Sequence, residues 1–166
     1  MARKRFLGKY DDKKIWWLRF TKDLLAFAIV MVLLFTLIIG AARVSGYSMH
    51  PTYDNGQIVV FSRLQKDYEK GDVVSIKMAN GERYIKRVIA VGGDQVEIID
   101  GVFYVNGEVE LECPAHGLTE AQEGIKYPYT VKPGAYFVLG DNREVSIDSR
   151  TYGAVASTQI RGKVLF

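Results

Sequence analysis

The stretch NGERYIKRVIAVGGDQVEIIDGVFYVNG, Asn80–Gly107, decides the fold. Three turn-forming dipeptides, Asn80-Gly81, Asp100-Gly101 and Asn106-Gly107, punctuate runs rich in β-branched and aromatic residues. Two-residue hairpin turns call for positive φ at both positions, which Asn, Asp and Gly tolerate best. Strands are therefore expected over Glu82–Val91, Gln95–Ile99 and Val102–Val105, with Asp72–Ala79 ahead of the first turn. Farther out, Gln57–Phe61, Tyr136–Leu139 and Gln159–Phe166 read the same way, and no long helical pattern follows residue 45. Cys113–Pro128 is polar and irregular, the mark of a surface excursion. The expected fold is mainly β, an antiparallel sheet domain of about 120 residues, large enough for its own core.

One transmembrane helix is expected to precede that domain. Leu24–Ala42 carries no charge over 19 positions. As a helix it would be roughly 28 Å long, close to the ~30 Å hydrocarbon core of a bilayer. Trp16 and Trp17 stand before it, where aromatic rings favour the headgroup zone. Arg3, Lys4, Arg5, Lys9, Lys13, Lys14, Arg19 and Lys22 outnumber Asp11, Asp12 and Asp23 on that side. By the positive-inside rule the chain divides into a basic cytoplasmic tail at 1–23, a span at 24–42 and an extracytoplasmic domain at 43–166 of a plasma-membrane protein. The competing reading is a cleaved signal peptide, since Ile39–Arg43 (IGAAR) loosely resembles a cleavage site. The length of the apolar run favours an anchor. A chain of 166 residues with net charge +3, 48% hydrophobic residues, 16 Gly and 4 Pro is not disordered, and suits one domain plus one element. No nucleic-acid partner is expected from the basic start, and the single Cys113 forms no internal disulfide.

Five residues separate the span from Ser48, which lies in the turn-rich SGYSMHPT of Ser45–Thr52. A serine hydroxyl needs a base to become a nucleophile. His50 is too close in sequence for an easy in-line contact, and His116 lies in the irregular segment. Cys113 and His116 have no further metal ligands suitably spaced, so neither a metal nor a cofactor is expected. Lysine is the alternative base. Strand alternation puts Tyr84, Lys86, Val88 and Ala90 on one face and Ile85, Arg87, Ile89 and Val91 on the other. An amine among apolar side chains either snorkels to water or loses affinity for its proton. To be mostly neutral near pH 7, its proton affinity must fall about a thousandfold, roughly 4 kcal/mol. A third segment, GDNREVSIDSR at Gly140–Arg150, offers two acid–base pairs among Asp141, Arg143, Asp148 and Arg150, and is compatible with holding Ser146 near the lysine.

Together SGYSMHPT (Ser45–Thr52), KGDVVSIK (Lys70–Lys77), RYIKRVIAVGGD (Arg83–Asp94) and GDNREVSIDSR, in this order behind an N-terminal anchor, resemble the bacterial type I signal peptidases. These are membrane-anchored serine proteases that remove signal peptides from exported preproteins. The resemblance implies Ser48 as nucleophile and Lys86 as general base, with Ser146 hydrogen-bonded to the Lys86 amine. It implies Asp141, Arg87, Asp148 and Arg150 as structural ion-pair partners. Gly46, Tyr47, Met49, Pro51, Tyr84 and Ile85 would meet the substrate, Tyr84 and Ile85 lining the groove that takes the signal peptide as an added strand. The Ser48 backbone N–H would be one oxyanion donor. A hydroxyl donor that some members carry two residues before the nucleophile is replaced here by Gly46. The implied partners are secretory preproteins and the lipid bilayer; oligomeric state leaves no signal in the sequence. Two rivals share features with this reading. Soluble self-cleaving Ser–Lys repressors lack the span and the Gly140–Arg150 motif, and a membrane-anchored β binding module leaves Ser48, Lys86 and Ser146 unexplained.

Overall fold

The computed structural model describes residues 5–165. It divides into two units, a helix and a β domain. The first is one continuous helix, α1 (Arg5–Ile38). Its stretch Lys13–Ile38 is long and apolar enough to cross a membrane, by length and composition. Trp16, Trp17 and Phe20 form an aromatic cluster on it, the Trp16 and Phe20 rings stacked at 5.6 Å. The tail expected at 1–23 is thus helical from Arg5 on, while residues 1–4 lie outside the described residues. The helix also stops short of Ala42. Ile39–Arg43 leave it as strand β1, because their backbone pairs with Ile58–Ser62, from Ile39 opposite Ser62 to Arg43 opposite Ile58.

The β domain then runs through β2 (Ile58–Ser62), β3 (Val73–Lys77), β4 (Arg83–Val91), β5 (Gln95–Ile99), β6 (Val102–Val105), β7 (Glu108–Val109), β8 (Tyr129–Thr130), β9 (Ala135–Leu139), the short helix α2 (Ser149–Tyr152), β10 (Val155–Ala156) and β11 (Ile160–Val164). A seven-stranded antiparallel sheet has the order β1-β2-β11-β3-β4-β9-β10, and a four-stranded one the order β7-β6-β5-β8. The turns at Asp100-Gly101 and Asn106-Gly107 take positive φ at both residues, as the two-residue connections require. At Asn80-Gly81 only the glycine does, so that turn is of another type.

Three buried clusters make the core. Ile89, Ala90, Val96, Phe103, Phe137 and Leu139 fill the first, joining the small sheet to β4 and β9. Val74, Ile76, Val88, Tyr136 and Val138 lie in the second. Met49, Val59, Phe61, Val73 and Ile85 form the third, under the β1–β2 connection. Strand β4 is buried on both faces from Ile85 to Ala90. The alternation expected along it breaks after Val88, where a β-bulge shifts the register against β9. Ile89 and Ala90 therefore enter the same cluster, and Ala90 does not share the Lys86 face as expected. The pairing of β4 with β9 begins only at Arg87, whereas β3 covers the other edge from Arg83 on. Arg83–Lys86 consequently have one strand edge without a β partner among the described residues.

Candidate active site

Ser48 sits in the connection between β1 and β2. The Val44 N–H donates to Gln57 O at 2.8 Å and the Gly56 N–H to Val44 O at 2.8 Å, prolonging the ladder below it. The loop tightens where the His50 N–H bonds Tyr47 O (3.1 Å) and the Tyr53 N–H bonds Met49 O (2.9 Å). Met49, 1% exposed, roots the loop in the third core cluster. Burying one such side chain contributes about 1.5–3 kcal/mol, enough to fix the hydroxyl next to it.

Two further contacts stitch this loop to the segment after β9. The Asn142 N–H donates to the Ser48 carbonyl at 3.0 Å. The Thr52 hydroxyl donates to Asp141 Oδ2 at 2.6 Å. Gly140 is needed between them, because a Cβ there would collide with both Ser146 Oγ and the Ser48 carbonyl.

Lys86 points from β4 to the same place. Its Nζ donates to Ser48 Oγ at 2.7 Å, and the residue is 2% exposed. The Tyr84 ring covers the amine at 5.7 Å, and Tyr84 in turn stacks on Tyr152 at 6.3 Å. Burial is the main cause that pulls the Lys86 pKa down to about 8. The charges of Asp148 and Asp141 push it back up, while Arg150 lowers it. About a tenth of the amine is then neutral at pH 7, less than the mostly neutral base expected from the sequence.

The carboxylates near the site are paired with guanidinium groups. Asp141 takes Arg87 in a fork, Nε to Oδ1 at 2.8 Å and Nη2 to Oδ2 at 2.6 Å. Asp148 takes Arg150 likewise, both bonds at 2.9 Å, and also accepts the Gly140 N–H at 3.1 Å. Arg143 bonds no carboxylate among the described residues; its guanidinium donates to Gly140 O, Pro114 O and the Thr119 hydroxyl. The two acid–base pairs expected within Gly140–Arg150 are thus one internal pair and one across to β4.

Ser146 departs from expectation. Its Oγ is buried without a hydrogen-bond partner, so the bond to the Lys86 amine is not formed here. The Ser146 carbonyl is held by Gln122 Nε2 (3.0 Å) and Arg150 Nη2 (3.3 Å), which fix the backbone with Oγ turned against Gly140. Neither imidazole hydrogen-bonds to Ser48. His50 Nδ1 lies 3.0 Å from Asp54 Oδ1, and His116 joins the Asp141–Arg143 segment through its backbone.

Beside Ser48 a cleft of about 30 Å³ is lined by Arg43, Val44, Ser45, Ser48, Met49, Arg83, Tyr84 and Ile85. Of the expected substrate residues it gathers Met49, Tyr84 and Ile85. Gly46, Tyr47 and Pro51 are exposed and do not line it, since the loop turns them outward. The sequence reading missed Arg43, Val44, Ser45 and Arg83, and also Thr52 and Tyr152 around the site. Only Arg83, one residue before Tyr84 on the same strand, carried a signal that could have found it. The Ser48 N–H has no acceptor among the described residues, and no group of three or more His, Cys, Asp or Glu that could hold a metal occurs among them.

A hydroxyl in contact with a desolvated amine, at the mouth of a small cleft and beside an open strand edge, defines a site able to carry out nucleophilic hydrolysis with lysine as base. Residues 17–166 match the family model described as signal peptidase, peptidase S26. Signal peptidase IB of Staphylococcus aureus (strain Mu50) is 35% identical over 164 residues, covering 86% of each chain. Signal peptidase I of Bacillus caldolyticus is 35% identical over 137 residues, 74% of this chain and 75% of that one. A solved signal peptidase I from Enterococcus faecalis V583 superposes with a TM-score of 0.47 and 31% identity, over 60% of this chain and 97% of that one. The chain belongs to the signal peptidase family, peptidase S26, and is a hydrolase of the peptidase class.

Proposed function

We propose that this peptidase cuts signal peptides from exported preproteins with Ser48 as nucleophile and Lys86 as general base. It does so at the outer face of the plasma membrane, held there by α1 with its basic end in the cytoplasm. The observation that carries the catalytic part is the 2.7 Å contact between Lys86 Nζ and Ser48 Oγ, in a place dry enough to lower the amine's proton affinity. The neutral amine accepts the Ser48 proton while Oγ bonds the scissile carbonyl carbon. The developing oxyanion takes the Ser48 N–H as a donor. Collapse breaks the C–N bond, and Lys86 returns its proton to the leaving amine. Lys86 then takes a proton from water, whose oxygen attacks the acyl carbon; the bond from that carbon to Ser48 Oγ breaks, and Lys86 returns the proton to Oγ. The acyl half of the substrate lies along the open edge of Arg83–Lys86 as an added strand, with its last side chain in the cleft under Ser48. A cleft of that size favours a small residue. Asp141, Arg87, Asp148 and Arg150 hold the two loops and the strand in place by their paired charges.

The test mixes the full chain in neutral detergent with a preprotein and reads the size of the product for wild type, Ser48→Ala and Lys86→Ala. Processing by wild type alone is expected. Equal processing by all three eliminates the Ser–Lys mechanism, and no processing by wild type favours a binding module.

A further inference from the structure

Two cations flank the cleft beside Ser48, one on each wall. Arg43 ends β1, with its Nε donating to Gly56 O at 3.2 Å, which tethers the guanidinium on that side. Arg83 begins β4 on the facing side, opposite Lys77 of β3. Both are exposed, and neither forms an ion pair with the described residues. The adjacent carboxylate, Glu82, is engaged by the Tyr84 hydroxyl and by Asn80 Nδ2. Those neutral donors leave Glu82 ionised, but Lys77 across from Arg83 offsets it, so the approach to the nucleophile keeps a net positive charge from Arg43 and Arg83, and charge lining a cleft acts on whatever must enter it.

The geometry says which part of a substrate feels it. Only Arg83–Lys86 offer a free edge on β4, so a strand added there runs from the dyad toward Arg83. Arg83 is three residues from Lys86, or about 10 Å along the strand. A strand in register with β4 that is cut next to Lys86 places its fourth and fifth residues before the cut beside Arg83, with Arg43 across the cleft.

We propose that Arg43 and Arg83 form a charge-selective subsite that favours an acidic residue, and disfavours a basic one, at the fourth or fifth position before the cut. The inference rests on the Ser48–Lys86 reading and on the acyl half lying along β4. An exposed charge pair supports discrimination of about fivefold between Glu and Lys.

The experiment uses the full chain in neutral detergent and six preprotein substrates, with Glu, Gln or Lys at each of the two positions. Rates are compared as kcat/KM. The expected order at low salt is Glu over Gln over Lys at one position or both, with the spread shrinking toward one in 1 M KCl, where the screening length is about 3 Å. Arg83→Glu should reverse the order and Arg83→Gln should narrow it; the neutral variant guards against a fold lost to the reversed charge. Equal rates for Glu, Gln and Lys at both positions overturn the proposal. So does an order unchanged in both Arg83 variants. Ser48→Ala separates the two readings. Charge-blind cleavage that requires Ser48 sinks only the subsite, whereas cleavage surviving Ser48→Ala sinks the catalytic reading as well.

Discussion

Replacing Lys86 by Met should separate the cost of the buried amine from its use. The folded pKa of about 8 lies below the 10.5 of a free lysine side chain. Between those values the unfolded chain binds more protons than the folded one, so stability rises with pH across that window. Below pH 8 the protonated amine is held at a cost of about 3 kcal/mol, at roughly 1.36 kcal/mol for each tenfold loss of proton affinity. Met has nearly the same volume and no charge. At pH 6.5 Lys86→Met should therefore gain about 3 kcal/mol relative to wild type, less whatever the lost contact with Ser48 was worth. At pH 9 the same linkage leaves about 2 kcal/mol, so the gain should shrink by about 1 kcal/mol between the two pH values. Packing differences cancel in that comparison. Urea unfolding of both proteins at both pH values reads it directly. In parallel, wild-type kcat/KM should climb about tenfold per pH unit below pH 8 and level off above it, while the Met variant is inactive throughout. A stability gap independent of pH, or a wild-type rate independent of pH, would refute the claim that this amine is dry and titrates in catalysis.

Two further substitutions probe how the loops are held. Gly140→Ala drives a methyl into Ser146 Oγ and the Ser48 carbonyl. It should cost about 1–3 kcal/mol in thermal unfolding, with a rate loss beyond what that instability explains. Asp141→Ala strands the Arg87 guanidinium and leaves the Thr52 hydroxyl without its acceptor. A loss of about 3–5 kcal/mol in urea unfolding is expected, as for other broken buried pairs.

The parts of the molecule that are legible in the sequence are those fixed locally. Strands β5 and β6 fall where the sequence puts them because Asp100-Gly101 leaves only one way to connect them. Lys86 can be singled out because it is the one charge on its face of the strand, between Tyr84 and Val88. What stays hidden depends on distant partners. Ile39–Ala42 is as apolar as the run before it, and only its pairing with Ile58–Ser62 makes it a strand. The bulge after Val88 comes from fitting β9, which no residue of β4 announces. Arg87 and Asp141 are 54 residues apart, and Arg143 is satisfied by two carbonyls and a hydroxyl, groups that composition cannot assign. The motif around Ser146 points it toward the amine, but its rotamer depends on how Gln122 and Arg150 grip its backbone.

Strand β11, the last of the described strands, lies between β2 and β3. The nucleophile's loop enters the sheet through β2, and the lysine arrives by way of β3 and β4. Among the described residues no other strand joins those two halves edge to edge; their remaining contact is made by side chains, in the third core cluster and between Lys86 and Ser48. Strand β11 is thus the seam between hydroxyl and amine, fixing by backbone bonds a spacing that neither reacting residue sets for itself.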